Sequence, residues 1–287
     1  MVNSNASGQM SGKVVMVTGA NSGMGKEISL GLGRLGATLV MVCRDPERGE
    51  TARADVQQQT GNRNAELLIA DLSSQQSIRH LVAEFESRHD RLDVLVNNAG
   101  ASLPRRAETV DGVEAVFATN HLGPFLLTNL LLPVLTRTAP ARIVTVSSGA
   151  QAMAKLDFDD LQSKRGYNEI RAYNQSKLAN IVFTYELARQ IAGSGVTANA
   201  VEPGFVKTNL KVPFPYSIFS FMRGSAVAGA KPSVFLASSP EVEGISGKFF
   251  NKNAVPMKST PSSYDESIAR RLWKVSAELT HLEPAGA

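Results

Sequence analysis

Short apolar runs alternate with segments of helical period from residue 13 onward. The runs are rich in β-branched residues and several are apolar throughout, which is typical of strands covered on both faces. We predict strands at residues 14–17, 38–42, 65–69, 92–96, 142–146 and 196–201. The intervening segments repeat apolar residues three and four apart. They predict helices at residues 25–35, 46–59, 74–89, 112–135 and 169–191.

Strict alternation of strand and helix indicates parallel strands joined by right-handed crossovers. The predicted fold is therefore α/β, a single-domain doubly wound parallel sheet of the Rossmann type with helices on both faces. The chain shows no linker, internal repeat or low-complexity tract, so we assign residues 12–287 to one domain. Residues 1–11 are polar and are expected to form a disordered N-terminal segment.

The composition is that of a globular protein, with 43% hydrophobic and 20% charged residues. Basic residues are dispersed and the formal charge is +4, which argues against nucleic-acid binding. Cys43 is the single cysteine, which excludes an internal disulfide and fits a reducing compartment. No apolar run reaches the roughly 18 residues that span a bilayer. We expect a cytoplasmic protein with no membrane span and no metal site.

A glycine-rich loop follows the first predicted strand and opens the first helix, with glycines spaced G-x-x-x-G-x-G. Glycines let backbone approach a pyrophosphate, and a helix N-terminus supplies unpaired N–H groups and a positive dipole end. The alternative is a tight turn without a ligand. The candidate cofactor-binding residues of this loop are Gly19, Asn21, Ser22, Gly23, Met24 and Gly25.

The end of the second strand bears on the choice between NAD and NADP. NAD sites place a carboxylate about 20 residues after the glycines, whereas Cys43 stands at this place and Arg44 follows it. A guanidinium can pair with a 2′-phosphate, so we predict NADP(H) in preference to NAD(H). Asp45 is available as an alternative partner for Arg44, and Arg44 as a surface side chain is the other interpretation.

The next two predicted strands end in polar residues at the carboxyl edge, where open α/β sheets bind ligands. Asp71, followed by Leu72, either accepts a hydrogen bond from an adenine amino group or caps the helix that begins near Ser74. Asn98, Ala99 and Gly100 follow the fourth strand, where small residues allow close passage of a ribose. A turn stabilised by Asn side chains is the alternative.

Three further positions are candidates for the chemistry. Asn120 stands inside a predicted helix, where Asn is unfavourable, which suggests a kink that holds a water. The fifth strand ends in Ser147 and Ser148, whose side chains should point to opposite faces. A hydroxyl at this place suits polarisation of a developing oxyanion, and no serine-nucleophile motif surrounds it.

Tyr173 and Lys177 are four residues apart and share one face of a predicted amphipathic helix. A phenol titrates near pH ~10, and an ammonium beside it favours the phenolate and lowers that pKa toward neutrality. The alternative is a half-buried tyrosine and a surface lysine on an ordinary helix.

Taken in order, these motifs resemble the short-chain dehydrogenase/reductase family over about residues 12–250. The resemblance implies that Asn120, Ser148, Tyr173 and Lys177 form a catalytic tetrad, with Ser148 rather than Ser147 as the serine. Tyr173 and Lys177 would also contact the cofactor. So would a further group that follows the sixth strand, namely Pro203, Gly204, Val206 and Thr208.

Within the family, the chain is most similar to retinol dehydrogenases and the WW-domain oxidoreductase. The similarity lies in three runs, at residues 43–49, 120–129 and 270–273, and in a long spacer between Ser148 and Tyr173. Glu202 stands where those relatives have His, and no membrane anchor is expected. Both departures argue against a membrane-bound retinoid as substrate.

The implied activity is NADP(H)-dependent interconversion of a ketone or aldehyde and an alcohol, with Tyr173 as acid/base. Apolar residues are frequent at 209–222, so we predict a lid at about 209–230 over a bulky lipophilic substrate. A core-packing or subunit-contact segment is the alternative. A double-bond reductase and a non-catalytic NADP(H)-sensing regulator are the rival functions, and both a homodimer and a homotetramer are compatible with the sequence.

Overall fold

The structure is a computed structural model that describes residues 8–204 and 224–282. Within these ranges one sheet has the strand order β3-β2-β1-β4-β5-β6-β7-β8. All neighbouring strands are parallel except β7 and β8. The strands are β1 (Val14–Thr18), β2 (Thr38–Cys43), β3 (Ala65–Ile69), β4 (Val94–Asn97), β5 (Ala141–Val146), β6 (Val196–Val201), β7 (Phe249–Phe250) and β8 (Pro256–Met257).

Helices cover both faces of this sheet, as the sequence predicts. They are α1 (Gly23–Arg34), α2 (Pro46–Thr60), α3 (Gln75–Arg88), α4 (Ala115–Phe117), α5 (Gly123–Thr138), α6 (Glu169–Gln190), α7 (Ala226–Ser238) and α8 (Glu266–Leu279). One apolar core lies between the sheet and α3, α5 and α6, and a second lies between the sheet and α1, α2 and α7. The doubly wound α/β fold is therefore confirmed, and the sequence analysis missed the elements after β6.

One segment assignment differs from the structure, and a second is described only in part. Residues 8–11, predicted as part of a disordered terminus, form a turn in which Met10 is buried and its N–H donates to the Leu35 carbonyl at 2.8 Å. Residues 226–230, the end of the predicted lid, form the first turn of α7, and their role as a lid stays a prediction. This helix packs on α1, where a Cβ atom at Gly31 would lie 2.8 Å from Val234 Cγ2. The rest of the predicted lid, residues 209–223, lies outside the described ranges.

The segment predicted as one helix at 112–135 is interrupted by a π-helical turn at Ala118–Leu122, between α4 and α5. The carboxylate of Glu114 begins the helix by accepting hydrogen bonds from the N–H groups of Val116 and Phe117. A π turn therefore stands where the sequence suggested a kink, and the water assigned to Asn120 stays a prediction. The π turn places Asn120 inside the protein with no solvent exposure.

The helix Ala115–Thr138 has the length and composition of a membrane span, with a mean hydropathy of 1.3 in its most apolar window. In the fold, 72% of this window is buried inside the domain, as in the core helix of a globular protein. The sequence-based expectations of no membrane span and of a cytoplasmic location stay predictions.

The C-terminal helix α8 is attached to the core through aromatic rings. The Trp273 ring lies 5.0 Å from that of Phe125 and 5.8 Å from that of Phe183, and the two phenylalanine rings are 5.4 Å apart. His121 joins this cluster and its Nε2 lies 2.8 Å from Ser276 Oγ of α8. These contacts connect α8 to the π turn and to α6.

We expect Phe183→Ala to lower the free energy of unfolding by about 3–5 kcal/mol, because it leaves a cavity within the aromatic cluster. Urea denaturation followed by circular dichroism measures this change. Val110→Ala is the matched control, since Val110 is 87% exposed and surface changes stay within about 0.5 kcal/mol. A loss of under about 1 kcal/mol for Phe183→Ala would contradict the packing role of the cluster.

Candidate active site

The glycine-rich loop leaves β1 at the carboxyl edge of the sheet, and two of its glycines are required by close packing. Gly19 has a φ of +67°, and a Cβ atom there would lie 3.0 Å from the Ala99 Cα atom. A Cβ atom at Gly25 would lie 2.1 Å from the Gly19 carbonyl oxygen and 2.6 Å from Asn98 Nδ2. The loop, the start of α1 and the end of β4 are therefore in direct contact, with backbone at their common surface.

The N-terminus of α1 lacks a side-chain cap. Ser22 is in extended conformation and makes no capping hydrogen bond, and no acidic residue lies in the first turn. Gly23 has a φ of +53° and open space where a Cβ atom would be. Since the first N–H groups of a helix need acceptors, this end suits an anion such as a pyrophosphate. Helices α2, α3, α6, α7 and α8 have side-chain caps, which are Asp45, Ser74, Asn168, Ser225 and Asp265.

Thr18 and Asn98 tie the ends of β1 and β4 together. The Thr18 hydroxyl accepts from the N–H groups of Asn98 and Ala99 at 3.0 and 3.1 Å, and Asn98 Nδ2 donates to the Thr18 carbonyl at 2.8 Å. The Asn98 side-chain oxygen is buried and has no hydrogen-bond partner in the described part of the chain. It is an acceptor that a cofactor hydroxyl can satisfy.

The end of β2 offers an exposed cation with a long ion pair to a carboxylate at the end of β3. The Arg44 side chain is 78% exposed, and its nearest acidic partner is Asp71, with Nη1 3.8 Å from Oδ2. Asp45, the partner considered in the sequence analysis, instead caps α2 by accepting from the Arg48 N–H. Cys43 is buried, and burial raises the pKa of its thiol.

Of the two roles predicted for Asp71, an adenine contact and the capping of α3, the structure excludes the second. The cap of α3 is Ser74, which accepts from the Ser77 N–H, so the capping role suggested for Asp71 is wrong. Asp71 Oδ1 accepts from the N–H and the hydroxyl of Ser73 at 2.9 and 2.7 Å. The adenine contact stays a prediction. Leu72 is buried in the core, so its side chain has a packing role.

Tyr173 and Lys177 lie on one face of α6, as predicted, with Lys177 Nζ 5.6 Å from the centre of the Tyr173 ring. Lys177 is 4% exposed, and its ammonium donates to the Val146 carbonyl at the end of β5 at 3.1 Å. Its own carbonyl accepts from the Ser147 hydroxyl at 2.7 Å. Strand β5 and helix α6 are therefore joined at both ends of this lysine.

The expectation for the pKa of Tyr173 is wrong in direction. Burial raises the pKa of Tyr173 and the Ser148 hydroxyl beside the phenol lowers it, with burial as the larger effect. Burial also lowers the pKa of Lys177 to about 8. Both groups are removed from water, and burial disfavours the charged form of each.

The two serines of β5 have separate roles, and Ser148 is the one near the phenol. Ser147 is 2% exposed and its hydroxyl is used in the bond to Lys177. Ser148 is partly exposed and begins the 3₁₀ helix Gly149–Met153, accepting from the Ala150 N–H. Both hydroxyls have partners on α6, and the opposite orientation expected for the pair stays a prediction.

Asn120 lies on the other side of Lys177 and is fixed by three hydrogen bonds. Its Oδ1 accepts from the Ala101 N–H at 2.6 Å, and its Nδ2 donates to the Ala101 carbonyl and to the Ser176 hydroxyl, both at 2.9 Å. A Cβ atom at Gly100 would lie 3.5 Å from both Asn120 Oδ1 and Lys177 Nζ. The amide oxygen and the ammonium therefore both lie beside Gly100.

Two residues of this network were missed in the sequence analysis. Ser176 accepts from Asn120, and its hydroxyl donates to the Tyr173 carbonyl at 2.7 Å. Gln175 accepts from the Asp157 N–H and donates to the Leu161 carbonyl, which holds the long spacer on α6. Both residues lie between Tyr173 and Lys177 in the sequence and are buried. Polar residues in the middle of a buried helix are the signal by which such hydrogen-bonding partners can be identified.

The segment after β4 is hydrogen-bonded to the spacer between Ser148 and Tyr173. The Ser102 hydroxyl donates to Glu169 at 2.9 Å, and the Tyr167 hydroxyl donates to the Leu103 carbonyl at 2.7 Å. Burial raises the pKa of Tyr167 to about 12, so this phenol stays a donor at neutral pH.

The loop after β6 is described up to Gly204. Pro203 and Gly204 lie at the carboxyl edge, and Gly204 has a φ of +75°. Val206 and Thr208, the other predicted contacts of this loop, lie outside the described residues. The groups brought together at the edge are thus Gly19 to Gly25, Asn98 to Gly100, Asn120, Ser148, Tyr173, Lys177 and the start of the β6 loop.

The family model for short chain dehydrogenases matches residues 13–215. The chain belongs to the short-chain dehydrogenase family. The expected resemblance, including its retinol dehydrogenase branch, is confirmed. Members of this family use a nicotinamide cofactor, and the site fits one through the uncapped N-terminus of α1 and the unsatisfied oxygen of Asn98.

Relatives of known name are similar over nearly the whole chain. Retinol dehydrogenase 14 of Homo sapiens is 42% identical over 298 aligned positions, covering 96% of this chain and 88% of that protein. Retinol dehydrogenase 13 of Homo sapiens is 43% identical over 286 positions, covering 95% and 86%.

Solved structures agree with the fold of this short-chain dehydrogenase. An uncharacterised protein from Mycobacterium paratuberculosis has a TM-score of 0.80 at 34% identity, covering 96% of this chain and 95% of that one. A short chain dehydrogenase from Shigella flexneri, solved in complex with NADP, has a TM-score of 0.69 at 22% identity, covering 86% and 99%. The second likeness is one of fold alone.

We expect the affinity for NADPH to weaken about three- to tenfold as the pH rises through the Lys177 pKa of about 8. The ammonium form, present below that pH, makes stronger hydrogen bonds to a ribose than the neutral amine formed above it. Titration of NADPH fluorescence at several pH values measures the change. Lys177→Met should bind weakly without this step, and a pH-independent affinity of the unaltered protein would contradict the assignment.

Proposed function

We propose that this short-chain dehydrogenase is an NADP(H)-dependent oxidoreductase that interconverts a carbonyl and an alcohol on a bulky lipophilic substrate. The observation that carries the proposal is the convergence of four polar groups at the carboxyl edge of the sheet. The Tyr173 phenol lies beside the Ser148 hydroxyl, and Lys177 and Asn120 face the space next to them.

Each of these residues has a defined task in this reaction. Ser148 donates a hydrogen bond to the carbonyl oxygen of the substrate, and Tyr173 gives that oxygen a proton during reduction. Because burial raises the pKa of Tyr173, the phenol is in its proton-donating form at neutral pH. Bound NADPH supplies the hydride.

Lys177 and Asn120 act behind the phenol. The Lys177 ammonium, anchored on the Val146 carbonyl, is placed to hold a ribose and to stabilise the phenolate that forms when Tyr173 loses its proton. Asn120 is fixed by Ala101 and Ser176 and is assigned to hold a water that returns a proton to the phenol.

Selection of NADP(H) rests on Arg44. Its exposed guanidinium has Asp71 as a partner only at 3.8 Å, which leaves donors for a 2′-phosphate. The carboxylate typical of NAD sites is replaced by Cys43, and Asp45 is used in capping α2. A ribose 2′-hydroxyl therefore has no acidic acceptor at the end of β2.

A lipophilic substrate is supported by the sequence and by the relatives. Apolar residues are frequent at 209–222, directly after the cofactor loop, and the most similar relatives carry the name retinol dehydrogenase. Retinol is a large apolar alcohol. We propose that the substrate of this chain is of similar size and polarity, and that the residues lining the pocket select the particular substrate.

We expect Tyr173→Phe to abolish turnover, a loss of at least about 1,000-fold, because the proton donor is removed. NADPH consumption with a panel of ketones, aldehydes, steroids and retinal, repeated with NADH, measures both activity and substrate range. NADPH binding by the variant, followed by fluorescence, is the control for folding. Near-normal turnover by Tyr173→Phe would refute the role, and strict preference for small polar carbonyls would refute the lipophilic class.

We expect Arg44→Ala to reduce the preference for NADPH over NADH by about 10- to 100-fold, since a charge-assisted contact to the 2′-phosphate is worth about 1.5–3 kcal/mol. The ratio of kcat/KM for the two cofactors gives the effect. Arg34→Ala, at the end of α1, is a matched control that removes the same charge elsewhere. An unchanged ratio in Arg44→Ala would show that another group reads the phosphate.

A further inference from the structure

A carboxyl group lies beside the turn that carries Ser148 and has no task in the mechanism above. Glu202 directly follows β6, and its N–H donates to the Phe250 carbonyl of β7 at 2.9 Å. On the other side, the Ser147 N–H donates to the Val201 carbonyl at 2.8 Å. The backbone of Glu202 is therefore fixed at the sheet edge, next to the end of β5.

Gly149 makes room for this carboxyl group. A Cβ atom at residue 149 would lie 2.7 Å from Glu202 Oε2, closer than real Cβ atoms approach an oxygen. The Glu202 carboxyl thus occupies the space that the side chain of any other residue at 149 would fill. Since Gly149 is exposed and follows Ser148, the carboxyl lies on the open side of the serine turn.

Among the described residues, Lys252 is the opposite charge that acts on Glu202. Burial raises the pKa of Glu202, and the charge of Lys252 lowers it to a smaller degree. Lys252 crosses the β6 loop, where a Cβ atom at Gly204 would lie 3.1 Å from its Cδ. Within residues 8–204 and 224–282, no side chain forms a hydrogen bond or close ion pair with the Glu202 carboxyl. A half-buried carboxyl in such a place favours binding of a donor.

On the basis of the proposed carbonyl–alcohol chemistry, we propose that Glu202 is a specificity-determining residue. It accepts a hydrogen bond from a hydroxyl on the carbon next to the reacting carbonyl. The chain then prefers hydroxy-ketones, and diols in the reverse direction, over analogues without that hydroxyl.

Two observations favour a neutral hydroxyl as the recognised group. In the proposed reaction, Ser148 holds the reacting oxygen of the substrate. The Glu202 carboxyl lies against Gly149, the residue after Ser148, so it is placed to reach a group on the carbon next to the reacting carbonyl. Lys252 already offsets the charge of Glu202, so a second cation is disfavoured there. The hydroxyl supplies the donor that the carboxylate, an acceptor only, requires.

The test compares 2-hydroxyacetophenone with 2-methoxyacetophenone, which has a similar inductive effect but no donor. With NADPH and the full chain, we expect kcat/KM to favour the hydroxy compound by about 10- to 100-fold. Glu202→Ala should bring this ratio close to one, and Glu202→Gln, whose amide oxygen still accepts, should give an intermediate ratio. Glu241→Gln, an exposed carboxylate near α7, should leave the ratio unchanged.

Gly149→Ala is an independent variant that keeps the charge. Its Cβ atom would displace the Glu202 carboxyl, so the ratio should fall although Glu202 is intact. Because the readout is a ratio for one enzyme preparation, partial loss of folded protein does not change it.

The inference would be overturned by equal kcat/KM for the two ketones in the unaltered protein, or by a preserved ratio in Glu202→Ala. In either case, turnover of these ketones would still support the proposed function. Absence of turnover with both of these ketones and with every carbonyl of the panel above would refute the proposed function and this inference with it.

Discussion

The site depends on how the sheet accommodates a buried cation. Lys177 is removed from water, so its ammonium needs acceptors from the protein, and the Val146 carbonyl at the end of β5 provides one. This bond, together with that from the Ser147 hydroxyl to the Lys177 carbonyl, fixes α6 relative to β5. Ser148 and Tyr173 are carried on these two elements, so their proximity follows from the placement of the lysine.

Much of this arrangement could be predicted from the sequence because the relevant patterns are local. The strands β1 to β6 are short apolar runs, and the carboxyl ends of parallel strands must meet at one edge. Tyr173 and Lys177 share a helix face through their spacing alone, and the kink at Asn120 was visible because Asn is unfavourable in a helix. Position along the chain was therefore enough to place these groups.

Other features depend on contacts between distant segments. The direction of the Tyr173 pKa was mistaken because burial outweighs the hydrogen bond with Ser148, and burial depends on packing that the sequence does not display. The pairing of Arg44 with Asp71 rather than Asp45 joins the ends of β2 and β3. Strands β7 and β8 are two residues long each, too short for a recognisable period. Helix α8, by contrast, has a clear N-cap in Asp265 and was overlooked.

The π turn at Ala118–Leu122 has a consequence for how this helix tolerates change. A π turn accommodates one more residue than the α-helical turn it replaces, so the apolar stripes of α4 and α5 are out of phase by about 100°. Excision of one residue here would restore a regular helix and rotate either Asn120 away from Ala101 or α5 away from the sheet. The Asn120 amide and the hydrophobic core therefore share a single length constraint, so we expect the insertion or deletion of one residue in this helix to be far more harmful than the substitution of one residue.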